Sequence, residues 1–341
     1  MRLALQNPLT NFGQDEYRAL LASIIVHDAG TPAFAHLFEY QLHDRYEWDH
    51  ERVVPDILQM RHHSDARTHQ FFSARRLEFA KLCEKADIDF DIVLAILERR
   101  HTGAKLIFGS IDFDNLDNVT RMNWMLGNRF DIQPILDLAA SLGANASPNL
   151  LLPESQSSNL AHWAKLRRMA YEVIVFDELT VSGQAVLSEV IADALSDDTL
   201  ALEDWFYTDA ELISVLRASS ASAKTKLERD FFGRLPRLRM IAQLDFSEHP
   251  AFNLSIIQLN QMIKRFLGEN RVSRPYSYVL RDRGTFEKRI DAIDPSTGNG
   301  WSFGSRSDSL IFYGFGGGSG RTLVPKKLGA EFIEWLARVA C

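Results

Sequence analysis

The amino-acid sequence predicts a mostly α-helical protein with a small β-rich C-terminal region. Apolar residues recur three and four positions apart along most of the chain up to about residue 270, the period of a helix with one buried face. Helix-start signals stand ahead of several of these stretches. Beyond Arg274 the pattern changes to short apolar runs set among Gly, Ser and Asp, which is how strands and turns read.

Taken in order, Glu16 to Val26 carries Leu20, Leu21, Ile24 and Ile25 at helical spacing, although Ile24-Ile25-Val26 alone also suits a strand. Thr31-Pro32 reads as an N-cap with Pro at the first helical position, opening a helix with Phe34, Leu37, Phe38 and Leu42 on one face. Helical patterns follow over Arg75 to Ala86, Phe90 to Arg99, Asp114 to Leu126 and Asp131 to Leu142. Gly143 to Ser158 is rich in Asn, Ser and Pro and reads as a loop or linker. Helix resumes from Leu160 to about Leu195. Thr208 with Glu211 three residues on forms a capping-box start, and Asn253 to Leu267 is again periodic. Tyr276 to Leu280 and Ser309 to Tyr313 read as strands. The glycine-rich run from Gly314 to Arg321 lacks the spacing of a phosphate loop and reads as a hairpin turn. This organisation predicts a helical domain over residues 1–145, a helical extension of the same core over 159–270, and a small mixed α/β region over 271–341.

Composition narrows the function classes. A chain of 341 residues buries a sizeable core, and an apolar share of 46% beside 24% charged residues is that of a soluble globular protein. The net charge of -7 gives no support for a broad nucleic-acid or anionic-membrane footprint, and leaves room only for a local basic groove. Cys83 and Cys341 form no CxxC pair, which argues against a disulfide framework or a thiolate zinc site and suits a reducing cytoplasm. No basic-then-apolar leader and no apolar run of roughly 18 residues is present, so a soluble cytoplasmic protein is expected.

The chemistry-bearing residues fall in three clusters. His27-Asp28 follows the first apolar helix and precedes Ala29-Gly30-Thr31-Pro32. Adjacent His and Asp side chains can give one nitrogen and one oxygen to a single ion, a mixed set that suits Mn, Fe, Zn or Ni, and less often Mg. His36 and Glu39 share a helix side opposite Phe34, Leu37 and Phe38, with His43 nearby; the same spacing also occurs on a solvated polar face. His50-Glu51 comes next, in a segment that also reads as a surface loop. In the third cluster, Asp112 suits a helix N-terminus, where a carboxylate offsets the macrodipole. Asp114, Asp117 and Arg121 share one helical face, open both to metal ligation and to an Asp-Arg pair.

Together these clusters resemble the HD-domain superfamily of metal-dependent phosphohydrolases, and within it the deoxynucleoside-triphosphate triphosphohydrolase branch. The family motif HDxGHxPFxH is matched by the run from His27 to His36, its following acidic residue by Glu39, and its later HE pair by His50-Glu51. The family helix DxDxxDYxxRD is matched by the run from Asp112 to Met122. The resemblance implies an HD-type helical fold and a divalent metal (Mn, Fe, Ni, Zn or Mg) on His27, Asp28 and Asp114. It implies catalytic roles for His36, Glu39, His50 and Glu51, and substrate contacts from Asp117 and from Arg167 as a phosphate-binding arginine. A nucleotide or other phosphorylated small molecule is the implied substrate, a dNTP among them, and homo-oligomerisation is the implied assembly.

The sequence also departs from the family pattern. The family's first metal ligand is a His in an RxxxHS-type segment ahead of the HD pair, and none of the 26 residues before His27 is a His. His50, His62, His63, His69 and His101 are the other His candidates nearby. Thr31 stands at the second His of HDxGH, and Asn115, Asn118 and Met122 replace the usual basic, Tyr and Asp residues of the distal helix. Two alternatives follow: a catalytically degenerate HD-type protein acting as a nucleotide-binding or oligomerisation module, and an HD phosphodiesterase or di-iron oxygenase with a two-metal site.

Overall fold

The computed structural model describes residues 10, 12–59, 78–147, 149–219, 221–245, 248–270, 272, 275–283, 288–304, 308–316 and 327–339. Its helices are α1 (Gln14–Val26), α2 (His36–Tyr46), α3 (His50–Leu58), α4 (Phe79–Lys85), α5 (Phe90–Leu97), α6 (Lys105–Phe108), α7 (Phe113–Met125), α8 (Gln133–Ser141), α9 (Ser157–Ile174), α10 (Glu178–Ser196), α11 (Asp209–Ala218), α12 (Ala221–Lys226), α13 (Ile256–Glu269) and α14 (Lys327–Val339). Its strands are β1 (Leu150–Leu151), β2 (Arg239–Leu244), β3 (Pro275–Arg283), β4 (Ile290–Ile293), β5 (Gly300–Phe303) and β6 (Asp308–Gly316). The fold is mostly α, as the sequence predicts. No helix among the described residues is long and apolar enough to cross a membrane.

The chain divides into two units, each built from three separated stretches. The first comprises residues 1–30, 50–171 and 285–306. Its core joins Ala19, Leu20 and Val26 of α1 to Val54 and Leu58 of α3, Val93, Ile96 and Leu97 of α5, Leu116 and Val119 of α7, and Trp163 of α9. Asp89 caps α5 by accepting the Asp91 and Ile92 N–H groups, which fixes where the apolar run Phe90–Leu97 becomes helical. A small sheet of order β1-β4-β5 closes this core with Ile290 and Ala292, both fully buried. Strands β1 and β4 pair in parallel, and Trp301 donates its indole N–H to the Leu152 carbonyl at 2.8 Å.

The second unit comprises residues 31–49, 172–284 and 307–341. An antiparallel sheet of order β2-β6-β3 packs on α13 and α14 around Leu259, Ile263, Phe266, Phe312, Phe332 and Leu336. Phe312 and Phe332 meet edge to face with centroids 5.0 Å apart. Helices α2, α10 and α11 belong to this unit, and Gln41 of α2 donates to the Ser188 hydroxyl of α10 at 2.8 Å. The capping box expected at Thr208 is present: the Thr208 hydroxyl accepts the Glu211 N–H, and the Glu211 carboxylate accepts the Thr208 N–H.

Four sequence expectations change. Thr31-Pro32 does not open α2, which begins at His36 after a turn in which Phe34 and Ala35 take positive φ values of 55° and 49°. The Phe34 N–H instead donates to the Asp209 carboxylate at 2.9 Å, so a distant partner overrides the local helix-start signal. The stretch from Leu160 to Leu195 is two helices, because Asp177 caps a new start at Glu178. The expected loop over 143–158 contributes β1, and α9 already starts at Ser157 within it. Strand β2 lies inside the region read as helical; its partner β6 supplies the pairing that no local pattern encodes. Residues 317–321 of the glycine-rich run lie outside the described residues, and Gly314 and Gly316 belong to β6.

Candidate metal centre

The site grows from the end of α1. His27 follows the last helical residue, and its N–H still donates to the Ser23 carbonyl at 2.9 Å. Its ring Nδ1 lies 2.8 Å from the Ile24 carbonyl oxygen. A carbonyl only accepts, so Nδ1 carries a proton, and in the neutral ring the lone pair is on Nε2. Phe108 meets the imidazole edge-on at 6.2 Å, and the His27 side chain is 13% exposed, which holds the ring in place. Gly30 lets the chain pass close to α3: a Cβ there would lie 2.8 Å from the His50 carbonyl oxygen and 3.1 Å from Val54. The turn between His27 and Gly30 therefore seats directly on the start of α3.

Helix α7 supplies the opposing carboxylate. Asp112 is its N-cap and accepts the Asn115 N–H at 2.7 Å. The Asn115 side-chain amide also donates to both Asp112 oxygens, at 2.9 and 2.8 Å. Burial pushes the Asp112 carboxyl up to about 6, against these hydrogen bonds and the pull of Lys288. Asp114 sits in the first turn, where Asn118 donates to its Oδ2 at 2.7 Å. Burial, with a smaller contribution from Asp28, raises the Asp114 carboxyl, and His27 opposes that rise.

The three groups converge. His27 Nε2 is 3.4 Å from Asp28 Oδ2 and 3.9 Å from Asp114 Oδ1. One donor atom from each of His27, Asp28 and Asp114 lies within 4.8 Å of the other two. A divalent ion with ligands at about 2.0–2.2 Å separates them by about 3–3.5 Å, so small side-chain movements suffice to close this set on an ion. One imidazole lone pair and two carboxylates suit a transition-metal dication or Mg. An ion held by these three groups alone would keep coordination positions open. His50, buried at the start of α3, brings its Nε2 to 3.8 Å from Asp28 Oδ1.

The other sequence-predicted residues fall as follows. Glu51 is ion-paired with Arg99, whose guanidinium stacks on Phe108 at 4.7 Å. Asp117 is exposed and pairs with Arg121 at 2.6 Å, one of the two options its spacing left open. Arg167 of α9 donates from Nη1 to the Tyr171 hydroxyl at 3.1 Å and lies over the Tyr171 ring at 4.3 Å. His36 and Glu39 belong to the second unit, where the His36 Nδ1 meets the buried Glu39 carboxylate at 2.7 Å. His62, His63 and His69 lie outside the described residues. His101 is committed elsewhere: its Nδ1 accepts the Gly103 N–H and its Nε2 faces Glu16 at 3.1 Å. Lys288 was not singled out from the sequence, and it reaches this region from the residue pair ahead of β4.

A cleft of about 510 Å³ runs from these ligands between α1, α7 and α8. His27, Asp28 and Asp114 line it, and Ile24, Trp124 and Leu136 are among its apolar walls. Within it the Thr120 hydroxyl donates to the Leu116 carbonyl, and Arg121 is held by Asp117 and Asn118.

No known family model matches the chain, and no curated protein matches it. Among solved structures, the fold is similar to that of a phosphohydrolase from Bacteroides thetaiotaomicron VPI-5482, known from a crystal structure. The two are 13% identical, with a TM-score of 0.54, and the match covers 93% of this chain and 83% of that one. The likeness is one of fold, and it extends over both units.

Proposed function

We propose that this chain is a metal-dependent phosphohydrolase acting on a phosphorylated small molecule, with a nucleotide, including a dNTP, as the expected substrate class. The observation that carries the reading is the convergence of His27, Asp28 and Asp114 in the lining of a substrate-sized cleft. The fold likeness to a phosphohydrolase supports it.

A divalent ion held there supplies Lewis acidity toward a phosphate oxygen. The chain's own groups do the rest. The Ile24 carbonyl fixes the His27 tautomer, so Nε2 points its lone pair into the site without reorganisation. Asn118 holds Asp114 in one rotamer from the next turn of α7. His50, whose Nε2 lies 3.8 Å from Asp28 Oδ1, is the group we assign to proton exchange with a reacting oxygen. Arg167 offers a guanidinium to a phosphate.

A second reading, a binding module without turnover, is favoured by the engagement of Glu51 and Asp117 with Arg99 and Arg121. The test is a panel of nucleotides and simple phosphoesters with Mn, Mg, Fe or Ni. Turnover that requires added ion and is lost in Asp114→Ala supports hydrolysis. Bound ion with nucleotide affinity and no turnover on any substrate supports the binding module.

A further inference from the structure

The cleft that holds the proposed ligands also carries an exposed apolar surface. Helix α7 sets Asp114, Asp117, Arg121 and Trp124 at helical spacing, so they form one stripe, and all four line the cleft. A rise of about 1.5 Å per residue puts Trp124 about 15 Å along the helix axis from Asp114. Trp124 is 61% exposed. Ile25 of α1, which lines the same cleft, is 78% exposed, and Ile132 and Leu136 at α8 extend the apolar wall. Large apolar side chains left in water around one concavity mark a binding groove.

Trp124 is presented on a pinned element. The fully buried Asn123 donates to the Val119 and Leu166 carbonyls, at 2.8 and 3.0 Å, and accepts the Asn128 amide at 2.9 Å. The Trp124 ring meets Phe130 at 6.3 Å, and Phe130 packs on the core of the first unit. The polar groups beside the indole are engaged within α7: Thr120 donates to Leu116, and Arg121 is held by Asp117 and Asn118. The lining sets the carboxylates of Asp28, Asp114 and Asp117 against one guanidinium, that of Arg121. A divalent ion would balance this charge and leave no surplus in the lining for a chain of phosphates. The cleft therefore matches one phosphoryl group on the ion, joined to an apolar body.

We propose that the substrate is a phosphomonoester of an elongated apolar alcohol, and that Trp124 and Ile25 determine this specificity. The phosphoryl group lies at His27, Asp28 and Asp114, and the apolar body runs along α7 to Trp124. The body is recognised by its burial and by contact with the indole face, and not through hydrogen bonds. This narrows the proposed substrate class from phosphorylated small molecules in general to those with an apolar body. For the position of the phosphoryl group, the inference rests on the proposed phosphohydrolase reading.

The test measures binding of methylphosphonate and octylphosphonate by calorimetry, with and without Mn, on wild type, Trp124→Ala, Trp124→Phe and Ile25→Ser. Each buried CH2 group adds about three-fold in affinity, so the wild type should bind octylphosphonate at least about 30-fold more tightly than methylphosphonate. Trp124→Ala should weaken octylphosphonate about 5- to 20-fold and leave methylphosphonate unchanged, while Trp124→Phe stays within about three-fold of the wild type. Ile25→Ser should weaken octylphosphonate by about three-fold or more. Both side chains are exposed, so melting temperatures should stay close to that of the wild type. Equal wild-type affinity for the two phosphonates overturns the inference, and so does wild-type octylphosphonate affinity in both Trp124→Ala and Ile25→Ser. A wild-type dimer in sedimentation that Trp124→Ala abolishes, with no dependence on chain length, overturns it in favour of a second copy of the chain on this surface. Mn-dependent binding without chain-length dependence overturns it and leaves the metal reading standing. Chain-length dependence that is indifferent to Mn supports the apolar subsite and counts against the metal-dependent reading instead.

Discussion

His27, a ligand in the proposed function, is oriented by its surroundings. Its helix-terminal carbonyl partner, its edge-on contact with Phe108 and its shallow exposure leave one nitrogen, Nε2, for coordination. Gly30 prepares the same turn from the backbone side, because only a residue without Cβ allows its approach to His50. Gly30→Ala is therefore expected to cost about 1–3 kcal/mol of stability, seen as a lower urea midpoint, and to displace Asp28 from His50. An unchanged midpoint would show that the close approach is not needed. At this scale much of the centre was legible: His27-Asp28 and Asp114 stand out as ligand-type residues at suggestive spacing, and Gly30 lies within the same motif. Lys288 was not legible, because a lone lysine in a stretch of mixed polarity carries no pattern until β4 and β5 fold it toward α7.

Among the elements, most helices follow their apolar periodicity, since burial of one face decides both the period and the register. The exceptions share a cause: a tertiary partner outcompetes a local signal. Asp209 takes the Phe34 N–H and delays α2, Asp177 restarts the helix after α9, and β6 recruits β2 as a strand. The β4–β5 turn gives a pH-dependent prediction. Asp294 accepts the Ser296 hydroxyl and N–H and the Glu154 N–H, and these hydrogen bonds hold its carboxyl down to about 2. A carboxyl depressed in the folded state stabilises above its unfolded pKa, near 3.8, and that contribution fades as pH falls toward 2. The Asp294→Ala variant should melt below the wild type at pH 6, and the two melting temperatures should converge between pH 4 and pH 2. A gap that is constant over that range would assign the effect to packing. Helix α9 carries the other large element-scale contribution: Trp163 is fully buried, and Trp163→Ala should cost about 3–5 kcal/mol by chemical denaturation.

On the scale of the whole molecule, each unit is completed by chain that returns from far along the sequence. The first unit's core contains Ile290 and Ala292, and its small sheet pairs β1 with β4. A fragment ending at residue 270 should therefore lack a cooperative thermal transition despite retaining helical circular dichroism. A sharp transition in that fragment would show that β4 and β5 are dispensable to the core. This interleaving was not legible in the sequence, because composition changes along the chain whereas contacts join stretches that composition separates. The mostly α character was legible, since it is the sum of many local periodicities. The proposed function rests on one proposed property, the binding of a divalent ion by His27, Asp28 and Asp114. The most direct measurement is metal content by elemental analysis after equilibration with Mn and removal of free ion, on wild type and on Asp114→Ala of matched circular dichroism. The account predicts one ion per wild-type chain and a loss of at least about 10-fold in affinity in the variant. A wild-type chain that retains no ion, or a variant that holds it equally well, would contradict it.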